Sequence, residues 1–160
     1  MRVVLIAVGE KPPGWVKEGF AEYAKRLPKP FTPELIELPL GARGKGRDPR
    51  RAMLDEGERV VAALPKNAHL VVLDERGAQW DSIELSKQLE TWSQSGRDIA
   101  FAIGGPDGHA PAVLERAQQR WSLSKLTLPH MIVRLVIAEQ LYRAWTLTQG
   151  HPYHRGETGF

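Results

Sequence analysis

Val3-Val4-Leu5-Ile6-Ala7-Val8, closed by Gly9-Glu10-Lys11, is the stretch on which the fold turns. A strand with one solvated face alternates apolar and polar residues, whereas a strand covered on both faces reads as an unbroken apolar run. This run therefore predicts a central strand of a parallel sheet. Val16, Phe20, Tyr23 and Leu27 then recur at helical spacing, and Glu34 to Leu38 predicts a short second strand. Asp48 has the chemistry of an N-cap with Pro49 at the first helical position, and Met53, Gly57, Val60 and Leu64 share one face of the helix that follows. Leu70 to Leu73 is expected as the third strand. Asp81 and Glu84 have capping-box spacing, with Trp80 and Leu85 placed for the staple, and that helix runs through Leu89 and Trp92 to a stop at Gly96. Ile99 to Ile103 predicts a fourth strand ending at Gly104-Gly105-Pro106-Asp107-Gly108. A short helix from Pro111 to Gln119, a brief strand near Trp121 to Leu123 and a long helix from about Pro129 complete the chain. Strand and helix alternate throughout, which defines the α/β class: a mostly parallel sheet with flanking helices, in one domain spanning residues 1–160.

Composition narrows the function. With 42% hydrophobic and 26% charged residues the chain has enough apolar material for a core, which argues against wholesale disorder. It has no cysteine, so disulfides, thiolate metal sites and a cysteine nucleophile are excluded. The apolar stretch at the N-terminus is too short for a signal peptide. The run after His130 is interrupted by Arg134, Glu139, Gln140 and Arg143, so no membrane span is expected. These features predict a soluble intracellular protein. The net charge of +3 is concentrated: Arg43, Lys45, Arg47, Arg50 and Arg51 stand against Asp48 alone in the glycine-rich loop at 41–51. Charge by itself fits a phosphate footprint and a solvated surface loop equally well.

Ligands of parallel α/β sheets bind beyond the carboxyl ends of the strands. Those ends fall at Gly9-Glu10, Leu73-Asp74, Gly104-Gly105 and the segment Leu123-Ser124-Lys125-Leu126-Thr127-Leu128. Neither a dinucleotide fingerprint nor a Walker A pattern is present, so a pyrophosphate has no cradle. A phosphate-free ligand held by backbone groups and apolar walls is still allowed, and S-adenosylmethionine is of that kind. Gly104-Gly105 permits close approach of backbone to a ligand, although an isolated pair serves more often as a plain strand-to-helix turn. His151 and His154 lack the carboxylate–histidine company of a metal site, so no metal is expected.

Ala7-Val8-Gly9, Gly19-Phe20-x-x-Tyr23, Ile103-Gly104-Gly105-Pro106, Trp121-Ser122-Leu123-Ser124, Leu126-Thr127-Leu128-Pro129-His130, Ala138-Glu139-Gln140-Leu141-Tyr142-Arg143-Ala144 and His151-Pro152-Tyr153-His154-Arg155 together resemble one family. It is the ribosomal RNA large subunit methyltransferase H family of the SPOUT (trefoil-knotted) superfamily. The likeness runs from residue 1 to about 155. It implies a cytoplasmic homodimer that uses S-adenosylmethionine to methylate N3 of a pseudouridine in 23S rRNA of the assembled ribosome, and a C-terminal trefoil knot. Alternatives are a tRNA methyltransferase of the same superfamily and a ribosome-binding or assembly module that transfers nothing.

Carried onto this chain, the resemblance implies a cofactor pocket from Leu73, Gly104 with Gly105, and Leu123, Ser124, Lys125, Leu126, Thr127 and Leu128. It places the chemistry in a tail at 151–155. Loss of the N3 proton calls for His154 as acceptor, or for Arg143 and Arg155 to stabilise charge developing on the base. Tyr153 is suited to stacking on the base or hydrogen bonding to it. Glu139 and Arg143, four apart on one helix, form either part of that machinery or a helix-stabilising ion pair. The helix from Met131 to Leu147 is apolar over more of its circumference than one core needs, which fits burial against a twin subunit or at the centre of the monomer. Gly156 to Phe160 extend past the point where the family tends to end.

Overall fold

The computed structural model describes the backbone of residues 1–156 and the side chains through His154. Five strands form the sheet: β1 Val3–Val8, β2 Pro33–Leu38, β3 His69–Gln79, β4 Ile99–Ile103 and β5 Gln119–Ser122. Six helices accompany them: α1 Gly14–Ala24, α2 Pro49–Ala63, α3 Ser82–Ser95, α4 Pro111–Arg116, α5 His130–Gln149 and the single turn α6 Tyr153–Gly156. The strand order is β2-β1-β4-β3-β5 and every neighbouring pair is parallel. The expectation of a parallel α/β sheet is met.

Every residue of β1 is buried, as its unbroken apolar run requires. Alternate side chains go to opposite layers. Leu5, Val71 and Phe101 pack with Phe20, Leu89 and Ile137 from α1, α3 and α5. Ile6, Val72 and Ala102 pack with Val60 and Val113 from α2 and α4. The Asp48 side chain accepts from the Arg50 N–H at 2.9 Å, and Asp81 and Glu84 form the reciprocal capping box that opens α3. Gly96, at φ 73°, closes α3 as a left-handed cap.

Three boundaries differ from the sequence expectation. β3 continues past Leu73 through Asp74-Glu75-Arg76-Gly77 to Gln79, because backbone pairing to β5 resumes after a bulge in which Leu73 and Ala78 both face Trp121. The apolar signal stops at Leu73, but the hydrogen bonding does not. A β-carbon on Gly77 would stand 2.6 Å from the backbone of Arg120 and Trp121, so only glycine passes there. α4 ends three residues early, and β5 begins at Gln119 rather than Trp121. α5 is the central helix of its layer, between α1 and α3, and its buried residues are Arg134, Ile137, Ala138, Leu141, Tyr142, Ala144 and Thr146. Among the described residues, no helix is long and apolar enough to cross a membrane.

Candidate active site

The sheet order brings the β3 bulge and the loops after β4 and β5 to one edge, and a cavity of about 670 Å³ opens between them. This is the carboxyl end of the strands, where such sheets bind ligands. Ile103, Leu114, Trp121, Leu123, Leu128 and Val133 supply apolar wall, while Asp74, Glu75, Asp107, His109, Ser122, Ser124 and Thr127 supply polar groups. Leu126 stands at the mouth and is 73% exposed, an unusual situation for a leucine. The predicted cofactor residues Leu73, Gly104, Gly105, Leu123, Ser124, Leu126, Thr127 and Leu128 all line this cavity; Lys125 sits in the same loop, exposed, without lining it. The Ser124 hydroxyl accepts from the Leu126 N–H, whereas the N–H groups of Lys125, Thr127 and Leu128 make no hydrogen bond among the described residues. The loop thus offers free backbone donors beside an apolar slot.

The cavity suits S-adenosylmethionine on these grounds. Its volume falls within the range of small-molecule sites. Its flat apolar wall suits adenine, and its carboxylates suit a ligand that is cationic at sulfur and nitrogen. Asp74 is the most sheltered of them, with its side chain 11% exposed and Arg76 and Arg120 at 3.8 and 3.9 Å. His109 donates from Nε2 to the Leu73 carbonyl at 3.2 Å, tying the loop after β4 to the start of the β3 bulge. Burial pushes the His109 pKa below the usual histidine value, against the contrary pull of that carbonyl and of Asp74.

The packing of the protein itself also requires the glycine pair. A β-carbon on Gly104 would meet the Gly108 backbone at 3.0 Å, and one on Gly105 would meet Glu56 Oε1 at 3.0 Å and Val8 Cγ1 at 3.1 Å. The loop can fold this tightly only without those side chains. Behind it, Glu56 is 2% exposed and accepts from the Gly41 N–H at 2.8 Å and from Arg43 through both carboxylate oxygens. Burial opposes its ionisation, but the Arg43 guanidinium and the Gly41 N–H overcome this, and its pKa lies below the usual carboxylate range. Arg43 also reaches Asp107 Oδ2 at 3.0 Å. Of the basic residues at 41–51, Arg43 is thus engaged inward, while Lys45, Arg47, Arg50 and Arg51 stay exposed.

α5 begins at the cavity and leads away from it. His130 lines the cavity; burial and the neighbouring Arg134 lower its pKa, so the neutral ring is favoured. Arg134, with no side-chain exposure, pairs with Glu37 at 2.6 Å and donates to the Gly9 carbonyl at 3.2 Å. Gly9 has φ 124°, and a β-carbon there would crowd His130 Nε2 at 3.3 Å. The sequence reading quoted Arg134 without giving it a role; an arginine in an otherwise apolar helical run is the signal that marks it.

The tail lies at the far end of α5. Tyr153 donates to Glu139 Oε2 at 2.9 Å, and Arg143 donates to the same oxygen at 2.9 Å. The Tyr153 ring meets Tyr142 edge-on at 4.6 Å and carries the Arg143 guanidinium 5.0 Å from its centroid. Arg26, just past α1, approaches the Tyr23, Tyr142 and Tyr153 rings at 5.0, 5.5 and 6.0 Å and is held by Glu22. Burial and the Glu139 carboxylate raise the Tyr153 pKa, keeping the phenol a donor. His154 Nδ1 is buried and has no hydrogen-bond partner among the described residues. The Arg155 side chain, predicted to act on the base, and the tail beyond Gly156 lie outside the described residues. Glu139, Arg143 and Tyr153 thus meet. They do not meet the cavity: none of its lining residues belongs to this cluster, and Val133 is separated from Arg143 by about 15 Å of helix.

The parallel sheet, the leucine-walled cavity at its edge and the long helix leading to a basic aromatic tail define an α/β protein with a small-molecule site toward the carboxyl ends of its strands. The family described as "Predicted SPOUT methyltransferase" matches residues 1–154, and the chain belongs to it. It is 59% identical over 155 residues, 97% of this chain and 99% of the relative, to Ribosomal RNA large subunit methyltransferase H of Stenotrophomonas maltophilia strain R551-3. At the same coverage it is 56% identical to the protein of that name in Alkalilimnicola ehrlichii and 52% identical to the one in Hahella chejuensis.

Proposed function

We propose that the chain is an S-adenosylmethionine-dependent methyltransferase acting on N3 of a pseudouridine in 23S rRNA of the assembled ribosome, in the cytoplasm. The observation that carries this reading is the cavity at the ends of β3, β4 and β5, bounded by the Gly104-Gly105 loop and Leu123 to Leu128. Full-length similarity to proteins named for large-subunit rRNA methylation supports the substrate class.

When bound, the cofactor supplies an electrophilic methyl group. The chain's own part is to align that group, hold the base and move one proton. Leu73 and the 123–128 loop would hold the adenosyl portion by backbone groups and apolar contact, and Asp74 would supply negative charge for a cationic group. Tyr153 orients the base; His154 accepts the N3 proton, or Arg143 and Arg155 stabilise the base anion.

The separation of cavity and tail within one chain favours a homodimer in which the tail of one subunit completes the pocket of its partner. α5 supports this reading: Met131, Ile132, Leu135 and Val136 remain half-buried, and the flanking helices present Trp15, 59% exposed, and Ile83. The lysine of Leu126→Lys projects from an already exposed position, so the fold is kept. That variant is expected to lose S-adenosylhomocysteine binding by at least about tenfold in calorimetry. A wild-type protein that fails to bind this product, or that leaves the pseudouridine unmethylated when added to ribosomes from a strain lacking the modification, would overturn the reading.

A further inference from the structure

Arg43 belongs to the basic segment at 41–51, yet its guanidinium is turned into the protein. It joins three segments: the glycine-rich loop after β2, α2 through Glu56, and the Gly104–Gly108 loop through Asp107. Its side chain is 23% exposed, and that of Glu56 is 2% exposed. A carboxylate buried that deeply must have its charge answered, and the Gly41 N–H together with Arg43 does so. Planar, bidentate geometry is what a guanidinium provides and an ammonium does not. Asp107 lines the cavity and follows Gly104-Gly105, whose missing β-carbons let the loop rest on Glu56 and Val8.

We infer that Arg43 is a positioning residue of the cofactor pocket, clamping the Gly104–Gly108 rim onto α2 through Glu56 and Asp107, rather than a phosphate ligand of the basic loop. This rests on the proposed cofactor site for its ligand, but the clamp itself is a property of the chain. The contacts of RNA phosphate fall instead to the exposed Lys45 and Arg47 of the same loop and to Arg50 in the first turn of α2.

Two measurements on the full-length protein test it. The first is amide hydrogen exchange over residues 103–109, which needs no ligand. Arg43→Gln is expected to raise exchange there at least about tenfold over wild type, with Asp107→Asn moving the same peptides. The second is S-adenosylhomocysteine titration. Arg43→Gln is expected to weaken binding about tenfold or more, Asp107→Asn to do the same in smaller measure, and the double variant to fall short of the product of the two losses. Arg43→Lys should restore only part of the affinity, since the fork is lost. Lys45→Ser with Arg47→Ser should leave both readouts at wild-type values while flattening the salt dependence of RNA binding. If Arg43→Gln misfolds because Glu56 is orphaned, the Arg43→Gln, Glu56→Gln pair removes the buried charge and carries the same expectations. Unchanged exchange and affinity in Arg43→Gln, with a reduced RNA salt slope, would overturn the inference. A wild-type protein that does not bind S-adenosylhomocysteine defeats the proposed function alone, because the exchange experiment still decides the clamp.

Discussion

Arg134 carries its charge with no access to solvent, so the desolvation has to be met by Glu37 at the end of β2 and by the Gly9 carbonyl at the end of β1. Removing the carboxylate strands a buried cation. Glu37→Ala is expected to destabilise the fold by about 3–5 kcal/mol, read as a lower urea midpoint; a loss within 0.5 kcal/mol, about the scale of a surface change, would contradict this. His109 gives a pH dependence. Burial lowers its folded-state pKa below the ordinary 6.5, so the neutral ring contributes stability above that pH. As pH falls from about 6.5 through the folded-state value, the unfolded chain takes up the proton first, and stability drops. His130 acts in the same direction. His109→Gln should therefore reduce the fall in Tm on acidification toward about pH 5, and a slope equal to wild type would show that the His109–Leu73 contact does not bear on the fold. The sequence shows Arg134 only as a charge within an apolar helical run; its partners, like those of the isolated histidines, are set by residues distant along the chain.

At the scale of elements, the long β3 sets the cavity rim. Its second half, Ala78 and Gln79, pairs with β5, and the bulge between Leu73 and Ala78 puts Asp74, Glu75 and Arg76 on the cavity. Gly77→Val places a side chain against the Arg120 and Trp121 backbone, which cannot yield. We expect a cost of about 1–3 kcal/mol from this overpacking and weaker S-adenosylhomocysteine binding through the displaced rim. A variant with wild-type thermal unfolding and affinity would refute that link. The strand cores, the Asp48 and Asp81 caps and the Gly96 stop were legible because each depends on residues a few positions apart. The extension of β3 was not, since charged residues carry no strand signal and only the partner β5 holds them extended.

At the scale of the molecule, cavity and tail sit toward opposite ends of α5, so one chain does not assemble both. If the partner's tail completes the pocket, Leu126→Lys and His154→Ala homodimers should each be inactive, while co-expressed chains form heterodimers with one intact site. For random pairing this restores up to about a quarter of wild-type methyl transfer, measured on the whole co-expressed dimer population. No recovery would indicate that each chain supplies its own tail.

The chain alone determined the alternation of strand and helix, the two-faced burial of β1 and the caps, because periodicity and capping are written over short distances. Tertiary structure decided which charges answer one another. Arg43 with Glu56 and Asp107, Arg134 with Glu37, and Tyr153 with Glu139 are pairs between 13 and 97 positions apart. Burial lowers the local dielectric around them, so the pairing of these charges depends on the packed neighbours that surround them and not on their spacing along the chain.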